Sequence, residues 1–150
     1  MTQTLRDRAT RRTDTIRLLT APAADVWVAT ASPDGTPHLV PLSLGWIDER
    51  AVIALQRGSA TARNILATGI ARLAVGPTRD VVLIDAELED CVDVDSAAPI
   101  GEAYAAQADW DPRGEVGYVF IVLRPTRIQA WREANEMTGR VLMRDGTWLA

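Results

Sequence analysis

The sequence predicts a mainly β protein: an antiparallel, closed or nearly closed barrel of six or more strands, with short helices outside it. Three observations carry that prediction. β-Branched and aromatic runs such as Val26-Trp27-Val28-Ala29-Thr30-Ala31 recur between turn signals. The stretch from Val81 to Val94 alternates apolar and acidic residues over the length of a long strand. A lone helical segment, 60–68, sits between the third and fourth predicted strands, so the sheet is not a simple meander throughout.

Taken in order, Thr13 to Leu19 predicts a short helix stopped by Ala21-Pro22. The first strand follows, then Ser32-Pro33-Asp34-Gly35-Thr36, with proline and glycine placed for a tight hairpin. His38 to Ile47 reads as the second strand. Asp48-Glu49-Arg50 turns it into the third, Ala51 to Gln56, and these three strands are expected to pair consecutively. Ser59 is placed to cap the following helix and Gly69 to end it. Ile70 to Val75 is strand four, broken by Gly76-Pro77. In the Val81–Val94 strand, Val82, Ile84, Ala86, Leu88, Val92 and Val94 are expected on one face, with Asp85, Glu87, Glu89 and Asp93 on a solvated one. Ser96 to Ala108 predicts an alanine-rich helix capped by Ser96. Gly117 to Leu123 is apolar on both faces, a central strand that continues past Pro125 to Trp131, and Asp145-Gly146 closes a last hairpin.

The bulk properties narrow the function. A chain of 150 residues fits one domain, 1–150, with residues 1–20 as an N-terminal helical extension. Its net charge of −4 argues against a nucleic-acid partner, which wants a basic face. One cysteine, Cys91, excludes an internal disulfide, and one histidine, His38, leaves no Cys/His zinc set; no metal is expected. Cys91 has no basic neighbour in sequence and is expected to be inert. No apolar run is long enough to span a membrane and Met1 to Arg17 is polar, so the cytoplasm is the expected location. All 16 basic residues are arginine, so any phosphate must be held by guanidinium, backbone N–H or hydroxyl groups.

Arg57 to Asn64 offers that chemistry. Arg57 and Arg63 are permanent cations, Ser59 and Thr61 carry hydroxyls, Gly58 permits close approach, and a helix start presents free N–H groups. The same residues also describe an ordinary capped helix with two solvated arginines. His38 either orients a ligand or is simply solvated. Trp46, Trp131 and Trp148 serve either packing or a cofactor ring.

In their order, four strings resemble the pyridoxamine 5′-phosphate oxidase-like, FMN-binding split-barrel superfamily. They are Val28-Ala29-Thr30 to Gly35-Thr36-Pro37; Pro41-Leu42 with Trp46; Arg57-Gly58-Ser59 through Arg63-Asn64-Ile65; and Leu123-Arg124-Pro125-Thr126-Arg127-Ile128 with Trp131. The likeness runs from Val26 to Trp131. It implies a split β-barrel homodimer with a flavin in each interface cleft, and hydride chemistry performed by the cofactor. The phosphate is then assigned to Arg57, Ser59, Arg63 and Asn64, and the ring to Thr30 and to Val40, Pro41, Leu42 and Ser43. The cofactor implied is FMN or, alternatively, the deazaflavin coenzyme F420, acting on a small-molecule substrate. The chain lacks the arginine-leucine-x-proline ending of true pyridoxamine phosphate oxidases; it ends Arg140 to Leu149 differently, which argues against vitamin B6 oxidation. An oxidoreductase is the leading expectation. A non-catalytic flavin-binding or stress protein and a cofactor-free interaction barrel are the alternatives, and haem would rest on His38 alone.

Overall fold

The computed structural model describes residues 4–150; the first three residues of the expected N-terminal extension lie outside the described residues. Helix α1 spans Arg8–Leu19, longer than the sequence suggests, because the Asp7 carboxylate caps it by accepting from the Thr10 N–H at 2.7 Å. Strands β1 (Asp25–Ala31) and β2 (Pro37–Ser43) follow, joined by the expected turn. There the Asp34 carboxylate accepts from the Ser32 hydroxyl and from Thr36, and Gly35 takes φ +90°. The remaining strands are β3 (Gly45–Ile47), β4 (Arg50–Gln56), β5 (Ile70–Val75), β6 (Val81–Asp93), β7 (Tyr118–Trp131), β8 (Val141–Arg144) and β9 (Thr147–Trp148). Helices α2 (Ala60–Thr68) and α3 (Ala98–Ala108) interrupt them.

The nine strands form one antiparallel sheet ordered β2-β1-β5-β6-β7-β4-β3, with the β8–β9 hairpin paired to β7. The expected run of three consecutive paired strands is corrected here. The predicted 38–47 strand breaks at Leu44: its first half pairs only with β1, its second only with β4. Gly45 explains the break, since a Cβ there would stand 2.7 Å from the Tyr104 ring, and Tyr104 itself donates its hydroxyl to the Ser43 carbonyl. β2 and β3 therefore lie at opposite ends of the strand order, which leaves the barrel split.

Two cores flank the sheet. The main one fills the barrel with residues such as Val28, Ile53, Ile65, Leu73, Ile84, Ile121 and Leu123. A second, built on Val52, Ala54, Tyr104, Phe120 and Val122, lies under α3. β4 and β7 are thus covered on both faces, which is why their sequences run apolar without alternation. β6 departs from expectation. Its register shifts between Leu88 and Asp90, after which Cys91 faces the main core while Val92 and Val94 join the second. One bulge has moved the last two valines to the other face. Ser96 does not cap α3; Ala97 occupies that position without a side-chain bond.

Candidate functional site

The sequence-predicted residues fall into three neighbouring places rather than one cavity. The first is the start of α2. The Ser59 Oγ accepts from the Ala62 N–H at 3.2 Å, and Gly69 closes the helix at φ +77°, as its sequence signals require. Capping uses one lone pair of Ser59 and leaves its proton to donate. The N–H groups of Ala60 and Thr61 precede the first intrahelical bonds. Arg57 is fixed at its backbone, donating to the Gly117 carbonyl at 3.0 Å, while its side chain is exposed. Arg63 is exposed in the first turn. Eight of the arginines lie within ion-pair distance of a carboxylate, whereas neither Arg57 nor Arg63 does, among the described residues. Two unneutralised guanidiniums beside free N–H groups and a hydroxyl form a donor set suited to a phosphate. Thr61 is only 2% exposed and faces the core, so its hydroxyl is withdrawn from this set.

The second place is a buried pair. Asn64 Nδ2 donates to Thr30 Oγ1 at 3.1 Å, and both side chains are more than nine-tenths buried. This bond fastens α2 to β1. The third is β2 itself. It ends the strand order, so the backbone groups on its far edge are not used by sheet pairing. Val40, Leu42 and Ser43 are half-buried there and Pro41 is exposed. Pro41, Leu42 and Ser43 also border a groove of about 690 Å3 that includes Trp27 and the start of β1.

Other candidates resolve differently. His38 stands opposite Thr30 in the register, half-buried. Trp46 packs against the main core. Trp148 is held within its own chain: its Nε1 donates to Glu49 Oε1 at 2.8 Å, and the Arg12 guanidinium lies 4.6 Å from its ring centre. The acidic face of β6 is laced by arginine, with Asp85, Glu87 and Glu89 paired to Arg72, Arg124 and Arg50. Arg57 Nη1 stands 3.8 Å from the Cys91 sulfur, although 34 residues separate the two in sequence. No group of His, Cys, Asp and Glu suited to a metal occurs among the described residues. No helix among them is long and apolar enough to cross a membrane.

A split barrel with a helix between β4 and β5 is an architecture that the comparisons place in a family. The family model described as pyridoxamine 5′-phosphate oxidase matches residues 13–132, and the chain belongs to that family. Solved structures share the fold. An F420 reductase superposes with a TM-score of 0.62 at 24% identity, over 74% of this chain and 92% of that one. A heme binding protein from Mycobacterium smegmatis gives 0.66 at 17%, over 96% of this chain and 60% of that one. A pyridoxamine 5′-phosphate oxidase-related, FMN binding protein from Nostoc punctiforme gives 0.52 at 16%, over 82% and 78%. No curated protein sequence matches significantly.

Proposed function

We propose that the protein binds FMN or the deazaflavin coenzyme at the split between β2 and α2 and acts as an oxidoreductase on a small molecule. The observation that carries this reading is the start of α2: Arg57 and Arg63 without carboxylate partners among the described residues, beside the free N–H groups of Ala60 and Thr61. Arg57 and Arg63 neutralise the cofactor phosphate, and the Ser59 hydroxyl donates to it. Asn64, through Thr30, holds α2 at its angle to β1 and so sets where those donors point. The unpaired backbone edge of β2 along Val40, Pro41, Leu42 and Ser43 supplies N–H and C=O groups for the polar edge of the ring. When bound, the cofactor supplies hydride transfer. The protein contributes binding, orientation and exclusion of water.

The reading includes a homodimer with its clefts at the interface. Trp27 is 51% and Leu39 59% exposed on the outer side of β1 and β2, flanking Pro41, an apolar surface suited to a second copy. The F420 reductase and FMN binding protein among the structural neighbours support the cofactor class. A fluorescence titration with FMN, the deazaflavin coenzyme and riboflavin tests it: the phosphorylated ligands should bind and riboflavin, lacking phosphate, should bind much more weakly. Equal binding of riboflavin and FMN would contradict the phosphate assignment. Coupled turnover of an acceptor by the reduced, bound cofactor separates an enzyme from a carrier.

A further inference from the structure

Helix α1 rests on the barrel by a face that is mostly polar. Its buried residues, Arg11, Thr15 and Leu19, recur every four positions, and only the last is apolar. Arg11 is 3% and Thr15 1% exposed. The Arg11 guanidinium reaches the end of β7 and the 3-10 turn Ala134–Glu136, where Nη1 donates to the Ala130 carbonyl at 3.2 Å and to the Glu136 carbonyl at 3.1 Å. Its Nε–H has no acceptor among the described residues, and the Thr15 hydroxyl has no partner among them either.

The charge is matched as poorly as the hydrogen bonds. No carboxylate stands within ion-pair distance of Arg11 among the described residues. Glu136 already accepts four bonds, three from Arg6 and one from the Arg132 N–H. Asp14 is divided among Arg6, Arg17 and Arg132. The buried Arg11 charge is left without a counter-charge of its own, and an unspent donor on a buried cation is costly.

An arginine Nε–H can only donate, so whatever satisfies it must accept. Helical side chains lean toward the N-terminus, which carries the Thr15 hydroxyl over the turn that holds Arg11. Two unspent donors on one stripe of the helix, one of them cationic, suit an acceptor with negative charge. Neither residue borders the grooves of about 690 and 530 Å3, so a group held here is enclosed and therefore small. We propose that Arg11 Nε and Thr15 Oγ1 hold a monatomic anion, chloride, between α1 and the end of β7, and that this ion completes the docking of α1. The site lies on α1 rather than α2, so it stands or falls apart from the phosphate reading.

The test uses the full chain, exchanged into gluconate and melted in rising chloride or bromide at constant ionic strength. Tm should climb by about 3–5 °C for each tenfold rise in halide above its dissociation constant. Thr15→Val keeps the branched shape and removes the hydroxyl. It should lose most of the halide response, yet melt no lower than the parent in gluconate, because an unsatisfied buried hydroxyl has gone. Crystals soaked in bromide should show an anomalous peak within hydrogen-bond distance of Arg11 Nε and Thr15 Oγ1. Three results would overturn the proposal: equal Tm in chloride and gluconate, a water in place of bromide at this position, or a halide response undiminished in Thr15→Val, as an ion held by Arg57 and Arg63 would give.

Discussion

Arg57 and Arg63 illustrate how a missing residue type sharpens a site. With no lysine in the chain, every cation is a guanidinium, and eight of them are used in ion pairs on the described surface. Arg57 and Arg63 belong to the arginines that are not, among the described residues, and the sequence alone could not tell which would pair because pairing depends on strand register. Glu136 shows the opposite behaviour. Arg6 binds it through its backbone N–H at 3.2 Å and two guanidinium nitrogens at 2.9 and 2.6 Å, and Arg132 N–H adds a fourth bond at 2.8 Å. These donors hold the carboxyl at about 2, well below its ordinary value. A depressed folded-state pKa gives stability that is full above the unfolded value and is lost as pH falls toward the folded one. Acid denaturation should therefore steepen between about pH 4.5 and about 2, and Glu136→Gln should flatten that limb in a pH series of thermal melts. An unchanged slope would assign the acid sensitivity elsewhere.

At the scale of elements, legibility followed the range of the determining interaction. α2 was readable to the residue, because Ser59 and Gly69 act through local hydrogen bonds. Ser59→Ala should cost about 1 kcal/mol of stability in chemical denaturation, and it should weaken phosphate binding as well. The break between β2 and β3 was not readable, because it depends on Tyr104 from α3 approaching Gly45 across the fold. Gly45→Ala should destabilise the protein by roughly 1–3 kcal/mol through overpacking, and Gly45→Ala with Tyr104→Leu should recover part of that loss. The β6 bulge was equally hidden. Alternation in sequence assumes unbroken register, and a single extra residue at Leu88–Asp90 sends Val92 and Val94 to a different core.

The whole molecule was legible as a class before it was legible as a topology. Apolar runs and turn residues dictated an antiparallel barrel, but they did not dictate that β2 and β3 would sit at opposite ends of the sheet. That order matters for function, since it leaves β2 with a free edge beside α2. The three groups of predicted site residues are thereby neighbours around one split, with Thr30–Asn64 as the link between β1 and α2. The same face leaves Trp27 and Leu39 exposed. In the dimer proposed above, Trp27→Glu with Leu39→Glu should yield a monomer in sedimentation or light scattering, with the barrel still folded by circular dichroism. A dimer that persists would move the interface elsewhere.

The central claim is that α2 begins a phosphate site served by arginine. The direct measurement compares FMN and riboflavin affinities for the parent chain and for Arg57→Ala with Arg63→Ala. Hydrogen bonds to charged groups contribute about 1.5–3 kcal/mol each, so the double variant should lose at least a hundredfold in FMN affinity while riboflavin binding changes little. Equal losses for both ligands, or no loss for either, would contradict the account.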